Sequence, residues 1–214
     1  MKIYYYNQLS STQEYLKNLI KENKVTLPVA IICDIQTEGK GSRNNSWYGY
    51  EGNLFLSFAI ELNQLPSDLK LESSSIYFAY LLKETLSELN SSVWLKWPND
   101  FYIDNKKIGG MITNIVNGKL ICGVGLNLIT SPKEFTILDI AIKREELIEA
   151  YFLKIEKRSL WKQIFSKYKL EFYKSREYFT HKNNLKISLR NVNLCNDGSI
   201  ISNGKRMYSL RWVK

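Results

Sequence analysis

Two short segments concentrate the chain's reactive side chains. Lys96-Trp97-Pro98-Asn99-Asp100 is followed, seven residues after Asp100, by Lys107-Ile108-Gly109-Gly110, so lysines, a carboxylate and bare backbone fall within one hairpin's length. Ammonium groups hold carboxylate or phosphoryl oxygens, an aspartate takes a metal ion or a proton, and paired glycines let a ligand reach main-chain atoms. The same residues also fit a tight surface hairpin, because Asp104-Asn105 is good turn chemistry and Pro98 and Gly109 punctuate strands. A further segment, Gln36 through Trp47, combines Gly39 and Gly41 with the cations Lys40 and Arg43 ahead of an aromatic. Exposed N–H groups with two cations make an anion cradle, and Trp47 offers a face for a ring. It is no P-loop, since Asp34 stands where G-x-x-x-x-G-K requires glycine, and alone it also fits an ordinary surface loop.

These segments need strands and helices to hold them. Ile3 to Tyr6 is a predicted short strand and Thr12 to about Asn23 a helix, with Ser11 and Glu14 spaced as a capping box. Val29 to Ile35 is a predicted buried strand, broken by a long loop from Thr37 to Gly52, and Asn53 to Glu61 the next strand. A helical stripe covers Leu69 to Leu89. Strands follow at Val93 to Trp97, Phe101 to Ile103, Lys107 to Val116 and Lys119 to Asn127, with Asn117-Gly118 a hairpin turn. Helices are expected at Arg144 to Glu156 and Leu160 to Phe179, then short strands with turns at Asp197-Gly198 and Asn203-Gly204. The pattern is α+β: a mixed, mostly antiparallel sheet flanked by helices, with a small carboxy-terminal β appendage. The expected division is a catalytic domain over residues 1–180 and a small β domain, SH3-like or reduced, over 181–214.

Composition removes several function classes. The 214 residues, 44% hydrophobic, suffice for a sizeable core. Cys33, Cys122 and Cys195 are far apart with no C-x-x-C, so they read as small core residues and not as a disulfide framework or zinc site. His181 is the single histidine, which argues against a histidine triad or a multi-histidine metal site. The formal charge of +9 fits a phosphate-bearing ligand, an acidic protein, a membrane surface or nucleic acid, and does not choose among them. No apolar run approaches the roughly 18 residues of a membrane span, and the first seven residues lack a signal peptide's apolar core, so the expected compartment is the cytoplasm.

Taken in order, Ser11-Thr12, Gln36 to Trp47, Lys96 to Asp100, Lys107 to Gly110 and Gly123-Val124-Gly125-Leu126-Asn127 resemble the catalytic domain of the biotin protein ligases. K-W-P-N-D followed by K-[IL]-[GA]-G is the most specific part. The resemblance implies a class II synthetase-like ligase fold and a two-step reaction. Biotin's carboxylate attacks the α-phosphate of ATP to give biotinyl-5′-AMP and pyrophosphate. A lysine of biotin carboxyl carrier protein, from acetyl-CoA carboxylase or a related carboxylase, then takes the biotinyl group. ATP with Mg²⁺ and biotin are the implied small molecules.

Carried over residue by residue, the resemblance gives Lys107, Lys96 and Asp100 catalytic roles, with Lys107 the main cation. Biotin contacts fall to Ser11, Thr12, Gln36, Gly39, Lys40, Gly41, Trp47, Lys107 and Gly110. The nucleotide falls to Lys40, Arg43, Trp47, Lys96, Asn99, Asn127 and Arg211, and the metal to Asp100 and Asn127. Two departures stand out. The family loop G-R-G-R-x-G-R-x-W carries Lys40, Ser42, Asn44 and Asn45 here, and the first motif, commonly S-T-N, is S-T-Q. Ten residues precede Ser11, too few for the amino-terminal helix-turn-helix of some members, so no sequence-specific DNA binding and no membrane association are expected. A homodimer is left open. A lipoate or octanoate ligase of the same fold is the alternative, and a basic nucleic-acid-binding module a remote one, with neither an RNA-recognition aromatic motif nor a recognition helix in evidence.

Overall fold

An unbroken apolar run such as Val29 to Cys33 requires cover on both faces of its strand, and the fold supplies it. In the computed structural model, which describes residues 1–41, 46–182 and 185–209, Val29 and Ile31 pack with Leu16 and Ile20 of the first helix. Their alternates Ala30 and Ile32 enter the main core with side chains of the three later helices. Among the described residues the molecule is therefore a sheet with one α-helix on one face and three on the other.

In chain order the elements are β1 (Lys2–Leu9), α1 (Thr12–Lys21), β2 (Val29–Lys40), β3 (Ser46–Gly49), β4 (Leu54–Glu61) and α2 (Ser74–Glu88). Then come β5 (Trp94–Lys96), β6 (Asp100–Ile103), β7 (Lys106–Val116), β8 (Lys119–Leu126), α3 (Arg144–Glu156) and α4 (Trp161–Glu171). Short strands follow: β9 (Phe179–Lys182), β10 (Leu185–Ser188), β11 (Asn193–Leu194), β12 (Ile200–Ser202) and β13 (Lys205–Met207). The main sheet runs β1-β2-β4-β8-β7-β6-β5, with β3 also on β2; among the described residues only β1 and β2 are parallel. The expected α+β class with a mostly antiparallel sheet holds. Asn117 and Gly118, with φ of 48° and 71°, make the β7–β8 turn as their types require.

Two expectations need correction. The stretch from Thr37 to Gly52 is not one loop: β2 runs on to Lys40 and β3 returns along it, pairing Gly39 with Trp47. Ladder bonds between backbone groups, which composition does not reveal, account for the difference. The last predicted helix stops at Glu171 and tightens into a 3₁₀ segment, Phe172–Glu177, before β9. Strand β8, which carries Gly123 and Gly125, pairs in unbroken register with β4 and β7. Strands β9 to β13 form two small sheets beside the main one, and Leu189, Val192, Ile200 and Met207 join its core.

Candidate active site

The pocket starts at the amino terminus of α1. Ser11 caps that helix, its Oγ accepting from the Glu14 N–H at 3.4 Å, while Thr12 opens a turn whose N–H groups have no partner within the helix. The capping box is half formed, because Glu14 pairs with Lys17 at 2.9 Å. The Thr12 N–H donates to Gln36 Oε1 at 2.8 Å. A backbone N–H only donates, so this contact dictates which end of the Gln36 amide faces Thr12. The NH₂ end is left beside Gly39, where a Cβ would come within 3.0 Å of it.

Behind this pair a relay of polar side chains, buried as far as Gln13 and half-buried at Asn114, crosses the sheet. Thr12 Oγ1 lies 2.9 Å from Ser57 Oγ, Ser57 donates to Gln13 Oε1 at 3.0 Å, and Gln13 Nε2 donates to Asn114 Oδ1 at 3.1 Å. Sequence reasoning missed Ser57, Gln13 and Asn114 as site residues. A signal for Ser57 was present: it is the one hydroxyl in the otherwise apolar Leu54 to Ile60, and it is fully buried.

The hollow itself comes from strand register. Ser57 faces Gly123 across β4 and β8, Gly123 faces Ile112 across β7, and Gly125 faces Gly110. These positions share the α1 face of the sheet with Ala59 and Ile121, which are packed beneath that helix. Small residues thus leave room where the helix ends. Neighbours already use part of it: a Cβ on Gly123 would lie 2.3 Å from Gln13 Oε1, and one on Gly125 would lie 2.5 Å from Trp47 Nε1. The remaining space is about 40 Å³, enough for a water or two. Trp47 Nε1 is buried without a hydrogen-bond partner among the described residues, a donor that a ligand can satisfy.

Opposite the Thr12–Gln36 end stand the cations. Lys107 Nζ lies 2.6 Å from Asp100 Oδ1 and Lys96 Nζ 3.3 Å from Oδ2, so both carboxylate oxygens are engaged. Burial alone would push the Asp100 carboxyl up; the Lys107 and Lys96 ammonium groups outweigh it and hold it below the ordinary carboxylate range. Lys107 also lies 5.9 Å from the Trp47 ring centroid. The hairpin geometry follows from pairing Lys96 with Asp100 and Asp100 with Gly110, where the missing side chain leaves space for the carboxylate.

One cavity is thus lined by Ser11, Thr12, Gln36, Lys40, Gly41, Trp47, Asp100, Lys107 and Gly110, brought in from α1, β2, β3, β6, β7 and the residues flanking α1 and β2. Lys96 reaches it through Asp100, and Gly39 packs against the Trp47 carbonyl, 2.5 Å from where its Cβ would be. Asn99 and Asn127 are not among the lining residues. The Asn99 amide donates to the Met111 carbonyl, and the Asn127 amide to the Thr136 carbonyl at 3.2 Å. Arg43 and Arg211, together with the loop substitutions Ser42, Asn44 and Asn45, lie outside the described residues. Among the described residues no cluster of three or more His, Cys, Asp or Glu side chains is placed to hold a metal ion. The cysteines play no part here: burial pushes the Cys33 thiol up to about 12 and the Cys122 thiol well above its usual range.

Known proteins resemble this chain in sequence and in fold. A biotin--protein ligase 1, chloroplastic, from Arabidopsis thaliana is 31% identical over 172 residues, 70% of this chain and 45% of its own length. The chain spans about half the length of the curated relatives it matches first. The crystal structure of biotin acetyl coenzyme A carboxylase synthetase from Helicobacter pylori with bound biotinylated ATP superposes with a TM-score of 0.93 at 37% identity, covering 97% of this chain and 99% of that one. Biotin protein ligase from Aquifex aeolicus in complex with biotin and ATP shares the fold, with a TM-score of 0.77 at 23% identity over 97% and 94% of the two chains. The biotin/lipoate A/B protein ligase family model matches residues 5–128, a span that contains every residue lining the cavity, and the chain belongs to that family.

Proposed function

We propose that this chain is an ATP-dependent biotin protein ligase, forming biotinyl-5′-AMP and passing the biotinyl group to a lysine of a biotin carboxyl carrier protein. The observation that carries the reading is the polarity of one cavity: amide and hydroxyl groups at the Thr12–Gln36 end, ammonium groups at the Lys107–Asp100 end. A cyclic urea with an acid tail matches both ends. The Helicobacter pylori protein with biotinylated ATP bound supports the same assignment.

Each residue then has a physical task. Gln36, its oxygen held by Thr12, offers N–H donors to the ureido head, and Ser57 and Gln13 keep Thr12 in place. Lys107 leaves Asp100 to neutralise the biotin carboxylate and the α-phosphate as they approach, which lowers the barrier to attack between anions. Lys96 stays with Asp100 and keeps the carboxylate from repelling the nucleotide. Lys40 and Gly41 with Trp47 cover the adenylate and exclude water until the acceptor amine arrives. Asn99, Asn127, Arg43 and Arg211 belong to this reading as nucleotide-side residues, and the division at residue 181 into ligase and small β domains belongs to it too. The described residues do not offer a prepared magnesium site, because Asp100 has both oxygens on ammonium groups and the Asn127 amide is engaged with Thr136.

A lipoate or octanoate ligase is the second reading, since the family includes lipoate ligases. An apolar dithiolane or alkyl head would leave the Gln36 NH₂ and the Trp47 N–H without partners in a closed pocket, a cost of about 1–3 kcal/mol for each buried group. No helix among the described residues is long and apolar enough to cross a membrane, and a cytoplasmic setting is part of the proposal. Incubation with ATP, Mg²⁺, a carrier domain and either biotin or lipoate, followed by intact mass of the carrier, tests the assignment. A carrier that gains the biotinyl mass only in the biotin arm supports it. An unmodified carrier in that arm removes it.

A further inference from the structure

We infer that Tyr178 is a positioning residue for Lys96, and that through it a carboxy-terminal segment outside the matched family domain sets the geometry of the lysine–aspartate cluster. The inference rests on the ligase reading above.

β5, which carries Lys96, is an edge strand, and its outward N–H groups need partners other than a neighbouring strand. The Leu95 N–H donates to Glu171 Oε1 at 2.8 Å and the Trp97 N–H to Ser175 Oγ at 3.0 Å, bracketing Lys96 on both sides. Glu171 is fixed in turn by Lys83 at 2.7 Å, and Trp97 Nε1 donates to the Gly198 carbonyl at 2.8 Å. The edge is thus closed by side chains from beyond residue 128, where the family match ends.

The Lys96 side chain is held from the same direction. The rings of Trp94, Tyr102 and Tyr178 form a closed triangle with centroids 5.2, 5.3 and 5.2 Å apart. Lys96 Nζ lies 5.4 Å from the Tyr102 centroid and 6.0 Å from that of Tyr178. Its carboxylate contact, at 3.3 Å, is the longer of the two to Asp100, and Lys96 is only 9% exposed. Ring faces supply the remaining stabilisation of a charge largely withdrawn from water. When substrate draws Lys107 away, Lys96 becomes the ammonium left on Asp100, and the triangle decides where it stands. Tyr178 is the member contributed from outside the catalytic hairpin.

The test uses the full chain with Tyr178→Leu and Tyr178→Phe, each alone and in a Lys96→Met background. Tyr178→Leu should lower kcat/KM for ATP in adenylate formation about tenfold, the range of a desolvated cation–π contact. Biotin affinity, measured by calorimetry, should hold in the same variant. Tyr178→Phe, which keeps the ring, should stay close to wild type. In the Lys96→Met background Tyr178→Leu should add no further loss, because the two act as a unit. An equal loss in both backgrounds, or a loss that follows biotin affinity and Tm alone, overturns the inference. A readout independent of turnover separates it from the ligase reading: ring currents should displace the Lys96 Hε resonances in wild-type protein, and Tyr178→Leu should return them toward ordinary lysine values. Ordinary Hε shifts in the wild type would overturn the inference whether or not the protein forms an adenylate.

Discussion

The Lys107 ammonium is bonded to Asp100 Oδ1 at 2.6 Å, the shorter of the two lysine contacts to that carboxylate. The proposed catalytic cation is thereby held beside the cavity but already paired, so substrate must compete with Asp100 for it. The exchange replaces one carboxylate by another, or by a phosphate. It costs far less than withdrawing a lysine from water to serve an unpaired site.

Lys107→Ala should leave the fold intact, because Asp100 keeps Lys96, yet reduce biotinyl-adenylate formation by about 100- to 1000-fold, the usual cost of removing one charge-stabilising donor. Biotin-dependent pyrophosphate release measures it. Release near the wild-type rate would withdraw Lys107 from its role.

The depressed Asp100 pKa predicts an acid-limb effect with a definite sign. A carboxyl held below its unfolded value contributes stability that is present above that value, about 3.9, and lost as pH falls through the folded pKa. Wild-type Tm should therefore fall more steeply below about pH 4 than that of Asp100→Asn, which has nothing to protonate there. Parallel Tm curves for the two proteins would contradict the pairing.

Two glycines should separate folding from binding. A Cβ on Gly109 would meet the Gly125 carbonyl at 2.5 Å, backbone against backbone in adjacent strands, so Gly109→Ala should cost about 1–3 kcal/mol, or roughly 2–10 °C in Tm. A Cβ on Gly125 meets the Trp47 side chain and not a strand backbone. Gly125→Ala should change Tm little and weaken biotin binding at least about tenfold, the cost of roughly 1.4 kcal/mol of lost fit. Calorimetry beside thermal melts distinguishes them, and equal Tm losses would refute the contrast.

Ser57→Ala removes the hydroxyl between Thr12 and Gln13, leaving Gln13 Oε1 without its donor. The expected cost is about 1–3 kcal/mol of stability, as for other buried groups left unsatisfied. Weaker biotin binding should accompany it, because Thr12 orients Gln36. Unchanged binding would mean that the relay does not reach Gln36.

The chain's own order of residues determined a good deal. The apolar run Val29 to Cys33 specified a strand covered on both faces, Asn117-Gly118 a hairpin, and the helical pattern the whole of α3. The motif segments pointed to most of the cavity, because a site that must hold anions needs lysine and bare glycine backbone in short compass. Tertiary structure alone decided the rest. Thr37 to Lys40 looked like loop until the ladder with β3 formed, and Ser57 looked like one polar residue in a strand until register set it against Gly123. Tyr178 gave no local sign of lying over Lys96. Such relations depend on which strands pair and in which register, and that is settled by burial over the entire sheet and not by any stretch of neighbours.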